Sequence, residues 1–140
     1  MLMNNKPQIT VSIFLKGDEL EPAYISEILG IQANDSQKKG EVRGGIRPNS
    51  KTYLTKIGTW RIQVESESRT AEEMVDEILQ RFAGRPEPLD KIAGVDEAYL
   101  DILILHDETK KLDGSTEFIL RKDQILKSSD LGLALWVTVS

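Results

Sequence analysis

The chain has 140 residues, no cysteine, 39% hydrophobic and 29% charged residues, and a net charge of −5. That is the length of one ordinary globular domain with a core of its own. Without cysteine there is no disulfide, thiolate nucleophile or Cys-ligated zinc, which suits a reducing compartment.

Taken in chain order, "QITVSIFLK" alternates Ile9, Val11, Ile13 and Leu15 with Thr10, Ser12, Phe14 and Lys16, which predicts a half-buried strand. "LEPAYISEILG" follows as a short helix. Pro22 suits its first turn, Ile25, Ile28 and Leu29 form its stripe, and Gly30 suits the position past its end. Residues 31–51 carry no periodicity and are rich in Gly, Asn, Asp, Ser and Pro, so a loop is expected there, long enough to suggest function or mobility. "KTYLTKI" and "GTWRIQVES" then predict two strands joined at Gly58, with Trp60, Ile62 and Val64 on one face and Arg61, Gln63 and Glu65 on the other.

"SRTAEEMVDEILQRFAG" is the clearest helix, with Thr70 and Glu73 as a capping box and Met74, Ile78 and Phe82 four residues apart. "AYLDILILH" predicts a strand apolar on both faces at Leu103, Ile104 and Leu105. "DETKKLDGS" predicts a turn at Asp113-Gly114, "EFIL" a short extra strand, and "LRKDQILKSSDLG" a short helix ended by Gly132. "LALWVTVS" closes as a strand with Leu133, Leu135, Val137 and Val139 on one side. The expected fold is α+β over residues 1–140 as a single domain. It has a mainly antiparallel sheet with two or three helices on one face, as a ferredoxin-like plait with an added α-β unit.

Charge is unevenly distributed. Residues 38–61 hold seven basic side chains and one acidic, for +6, against −3 for residues 1–37 and −8 for residues 62–140. The basic, glycine-containing loop at about 32–51 leads into a strand and lacks the Gly-Lys-Ser/Thr of a phosphate-binding loop, which must open a helix. Localised charge of this kind steers association with an acidic macromolecule. The acidic bulk of the chain argues against general nucleic-acid binding. The partner- or anion-binding residues are therefore expected to be Lys38, Lys39, Arg43, Arg47 and Arg61, with Trp60 beside them. Trp60 shares its strand face with Ile62 and Val64, which points to a core position.

His106 is the lone histidine, with no second His to share a metal; Asp101, Asp107 and Glu108 stand near it in sequence and leave a carboxylate–His pair open, but its expected place is a polar strand end. "HDETKKLDGS" lacks the alternating acids of a calcium loop, and Glu72, Glu73, Asp76 and Glu77 suit a solvated helix face. No catalytic residue, metal site or cofactor is expected. With no signal-peptide run and no membrane-length apolar stretch, the expected location is the cytoplasm.

The run "FLKGDELEPAYISEILGIQANDSQKKGE", then "GTWRIQVES", a helix, "EPLDKI", and "EFILRKDQILKSSDLGLALWVTVS" is similar over nearly the whole chain to the bacterial domain of unknown function 4279. Pro22, Leu29, Gly30, Ile31, Lys39, Gly40, Trp60 and Gly132 carry the resemblance, and Ala33 stands near where a proline is usual. The resemblance implies an α+β fold and no established activity. Through relatives of such small bacterial domains, it points to toxin immunity as one version of a binding role. The expectation is a non-enzymatic protein-binding module with an acidic protein as partner. The alternative is a binder of a small anionic ligand, or an unrecognised enzyme, on the same basic surface.

Overall fold

Alternating apolar residues set the main sheet. The computed structural model describes residues 8–45, 51–85, 87–105 and 118–140. Strand β1 (Gln8–Gly17) lies at the centre, antiparallel both to β5 (Gly58–Ser66) and to β6 (Glu97–Leu105). Strand β2 (Asp35–Gln37) pairs antiparallel with the outer side of β5, and β7 (Ala134–Val139) pairs parallel with β6. The order is β2-β5-β1-β6-β7.

Helix α1 (Pro22–Leu29) joins β1 to β2 across β5, and α2 (Ala71–Gln80) joins β5 to β6 across β1. Two β-α-β units thus interleave, each split by a strand of the other. Helix α3 (Lys122–Asp130) and β7 add a further unit at the β6 edge. The class is α+β, with a mixed sheet because of the β6–β7 pair.

The register explains the core. Ile13 lies opposite Ile62 and Leu100, and Leu15 opposite Trp60 and Ala98, so the odd residues of β1 fall on one face with their partners. Val11, Ile13, Leu15, Trp60, Ile62, Leu100, Ile102 and Ile104 are essentially inaccessible. Helix α2 covers them with Met74, Val75, Ile78 and Leu79, and α1 adds Ile25. Thr70 caps α2 by accepting from the Glu73 N–H at 3.1 Å, and its hydroxyl bonds the Glu73 carboxylate. Gly30 ends α1 in the left-handed region at φ 67°, as its place past the apolar stripe requires.

Two expectations change. Residues 32–45 are more ordered than an aperiodic loop: they contain β2 and β3 (Val42–Gly44), and β3 pairs with β4 (Thr52–Leu54) in a separate ribbon. Buried Thr55 fastens that ribbon, since its hydroxyl bonds both Glu41 N–H and Lys38 C=O while its own N–H donates to Glu41 C=O. Strand β4 lies within the strand expected at "KTYLTKI" but pairs with β3 and not with the following β5, and the three-residue β2 and β3 are too short a pattern to read. Second, Phe118–Leu120 forms no strand. Arg47, His106 and the Asp113-Gly114 turn lie outside the described residues.

Candidate functional site

Four of the six described basic residues of the 38–61 segment, Lys38, Lys39, Arg43 and Arg61, have an acidic neighbour. Lys38 Nζ is 2.7 Å from Glu21, Lys39 Nζ 3.5 Å from Asp18, Arg43 3.4 Å from Glu41, and Arg61 3.8 Å from Asp35. Arg43 also donates to the Ser36 carbonyl. The hydrogen bond and charge of Glu21 hold the Lys38 ammonium above its ordinary pKa. Lys38 and Lys39 are thus matched by carboxylates distant in sequence, from just after β1 and just before α1, while Arg43 and Arg61 pair with Glu41 and with Asp35 of β2. These pairs are solvent-exposed, and such pairs contribute about 0–1 kcal/mol each.

Trp60 and Arg61 part company, as strand alternation demands. Trp60 is wholly buried on the helix side, where its Nε1–H donates to Ser26 Oγ of α1 at 3.0 Å. It locks α1 to the sheet and offers no surface to a partner. Arg61 stands on the opposite face, which the helices leave uncovered.

That face is the feature the sequence reading missed. The even residues of β1 point there, and Phe14 lies opposite Arg61 on one side and Tyr99 on the other. The Phe14 and Tyr99 rings stack at 5.1 Å with 17° between planes. Trp136 of β7 follows at 6.0 Å from Tyr99. The Arg61 guanidinium sits 5.5 Å from the Phe14 centroid, and Lys16 Nζ lies 5.7 Å from Phe14 and 5.2 Å from Tyr99. A cation–aromatic column therefore runs across four strands, Arg61–Phe14–Tyr99–Trp136, with Lys16 over its middle. The sequence signal was present: large aromatics occupy outward positions of three strands where polar residues are the norm.

Asp101 lies in the next row, beside Ser12 and Trp136 in register. Burial pushes its carboxyl above the usual range, against the opposing pull of Lys16 and Arg61. A desolvated acid on an uncovered face is a local cost that the fold alone does not require.

Clefts lie beside the sheet among the described residues. One, of about 750 Å³, lies between α1 and the β2 region and includes Glu21, Ser26, Asp35, Lys38 and Glu41. Three carboxylates against one ammonium make it a poor seat for an anion. Another, of about 690 Å³, runs between α2 and α3. Its mouth holds Arg121, which bonds Glu72 at 2.6 Å, Asp76 at 2.8 Å and Asp123 at 3.0 Å. The acids of α2, expected as a solvated face, in part dock α3. Among the described residues no three metal-ligating side chains converge, and no helix is long and apolar enough to cross a membrane.

Fold and surface together define an α+β protein with helices on one sheet face and a cation–aromatic column on the other. The chain belongs to the DUF4279 family, a domain of unknown function, whose pattern matches residues 7–140. No curated protein and no solved structure matches it significantly.

Proposed function

We propose that this protein is a non-enzymatic, cytoplasmic bacterial module that binds an acidic protein, with toxin immunity as one version of that role. The observation that carries this reading is the sheet face opposite the helices, where half-buried Arg61, Phe14 and Tyr99 and exposed Trp136 form one connected column. Arg61 links the column to the Lys38–Arg43 segment. Tryptophan, tyrosine and arginine are the side chains that dominate protein contacts, and here they stand on a rigid sheet. The weak internal ion pairs of Lys38, Lys39 and Arg43 exchange for a partner's carboxylates at little net cost, so these residues steer association. Arg47 belongs to the same basic segment by sequence. The anion-binding alternative is less favoured, because the charged groups lining the cleft beside the loop are three carboxylates and one ammonium.

The test is a pull-down from the source cell's lysate. Wild type runs beside a Lys39→Glu, Arg43→Glu, Arg61→Glu variant whose fold is verified by circular dichroism. A protein held by wild type and lost from the variant is then purified and titrated directly. The expected result is slower association for the variant and a reduced salt dependence. Equal affinity of both forms sinks this surface. If no protein depends on the charges, a thermal-shift panel of nucleotides, sugar phosphates and acidic metabolites tests the alternative, because binding to the native state must raise the melting temperature.

A further inference from the structure

The two edges of the main sheet are built differently. Edge strand β2 is three residues long and carries Asp35, a short charged edge of the kind that discourages pairing. Edge strand β7 is six residues long, and residues 133–140 contain no charge and no proline. Its side chains are exposed on both faces: Leu135 50%, Trp136 61%, Val137 39% and Val139 60%. Among the described residues, no strand pairs with its outer side.

Those four side chains expose roughly 400 Å² of apolar surface on one short strand, the scale at which a patch marks a contact site. Helix α3 adds Ile125 and Leu126, which are 53% and 55% exposed and lie off the α2-facing side marked by Gln124. Two copies meeting along this edge bury at most roughly 1,200 Å² in total, at the small end of specific interfaces.

We propose that this chain forms a two-fold dimer by antiparallel pairing of β7 with β7 of a second copy, giving one continuous ten-stranded sheet. The strand is self-complementary in the required sense. A two-fold axis normal to the sheet at Val137 sets Val137 opposite its own counterpart, Leu135 opposite Val139, and Trp136 opposite Thr138. Every pair keeps its face, as antiparallel registry demands. Leu135, Val137 and Val139 then shield one another on the helix side, and no like charges meet. An uncharged strand offers no electrostatic feature to select a foreign strand, whereas its own copy matches it position by position. The inference shares Trp136 with the binding column: pairing sets Trp136 beside Thr138 of the second copy and leaves Arg61, Phe14, Tyr99 and the basic segment outside the paired edge.

Sedimentation of the full chain from micromolar to near-millimolar concentration tests the dimer. Wild type is expected to double in mass across that range. Val137→Lys and Val137→Asp, which each place like charges at the two-fold axis, are expected to stay monomeric, and an equimolar mixture of the two is expected to recover the doubled mass. A wild type that remains monomeric overturns the proposal, whether or not another protein or peptide covers β7. So do two variants that dimerise as wild type does. Should the variants fail to fold, amide exchange of wild-type β7 at two concentrations decides the matter. Slower exchange at the higher concentration supports pairing, and equal exchange refutes it.

Discussion

One buried amide joins the Arg121 bridges in holding α3 to α2, and removing it tests how that helix is held. Gln124 has no accessible surface. Its Nε2 donates to the Glu72 carbonyl at 2.8 Å and to Asp76 Oδ1 at 2.9 Å, and its Oε1 accepts the Arg121 N–H at 2.9 Å. In Gln124→Leu the Glu72 carbonyl keeps its place in the α2 ladder, and Asp76 keeps its two contacts with Arg121 at 2.8 and 3.0 Å. The Arg121 N–H, at the first turn of α3, is left without an acceptor in a partly buried position. One orphaned donor and two lost donations cost about 3 kcal/mol, and the added apolar burial of leucine returns about 1 kcal/mol, leaving about 2 kcal/mol. For a chain of this size each kcal/mol lowers the melting temperature by about 3–5 °C, so thermal unfolding followed by circular dichroism should shift by roughly 6–10 °C at pH 7. Gln124→Glu keeps the shape and the acceptor but turns the donor edge into an anion facing Asp76 and the Glu72 carbonyl. It should therefore be worse than leucine at pH 7. Its new carboxyl, raised in the folded state, is easier to bury once protonated, so its deficit against wild type should shrink as pH falls. A Gln124→Leu protein that melts within about 1 °C of wild type would refute the claim that this amide holds α3 to α2.

Other outcomes follow from single contacts. Gly17→Ala would place a Cβ 1.9 Å from the Gly94 carbonyl oxygen, backbone against backbone, and should cost about 3 kcal/mol or more in denaturant unfolding. Gly30→Ala meets nothing within 4 Å and should cost only about 1 kcal/mol, from its left-handed φ. Thr70→Ala removes the α2 cap and should cost about 1 kcal/mol, with amide exchange at Glu73 accelerating first. The hydrogen bond and charge of Arg121 hold the Asp76 carboxyl below its usual pKa, so its contribution is present at neutral pH and lost as pH falls below about 4. The Asp101 carboxyl is shifted the other way by burial, so its ionised form opposes folding. Asp101→Asn should raise the melting temperature at pH 7, with the gain disappearing in acid where the aspartate is already neutral.

The sequence was most readable where one face of an element is buried. Alternation in β1 and β5, the four-residue spacing of α2 and the Pro22 and Gly30 boundaries of α1 all reflect burial on a single side, and each lies where that pattern placed it. Leu103 and Leu105 show the limit. Both read as core, yet Leu103 points to the uncovered face and Leu105 is 38% exposed at the strand end. Composition cannot tell a strand covered on two faces from one with an apolar open face. The pairing of β4 with β3 was hidden for another reason, since its fastening at Thr55 is side chain to backbone across 14 and 17 residues. The carboxylates that match Lys38 and Lys39 come from Glu21 and Asp18, and no local pattern joins them. The clustered charge was visible as composition, while its neutralisation and the cation–aromatic column exist only in the fold.

That column changes where the weight of the binding proposal falls. A loop of paired lysines and arginines supplies attraction at a distance, and screening at physiological salt confines it to within about 8 Å. It does not supply the desolvated anchor that holds a complex together. The open face does have that character: stacked rings, two cations held against them, and an acid kept partly dry beside Trp136. Of these, the desolvated acid is the one that stability alone would remove, since asparagine in place of Asp101 relieves the buried charge; the rings and cations also stabilise the sheet through cross-strand contact. In the proposed role the two regions divide the work, with the basic segment governing the association rate and the column governing dissociation. Substitutions at Lys39 and Arg43 should then act on the on-rate and fade at high salt, whereas Tyr99→Ser should raise the off-rate at every salt concentration. A partner whose off-rate ignores Tyr99 would place the anchor elsewhere on the molecule.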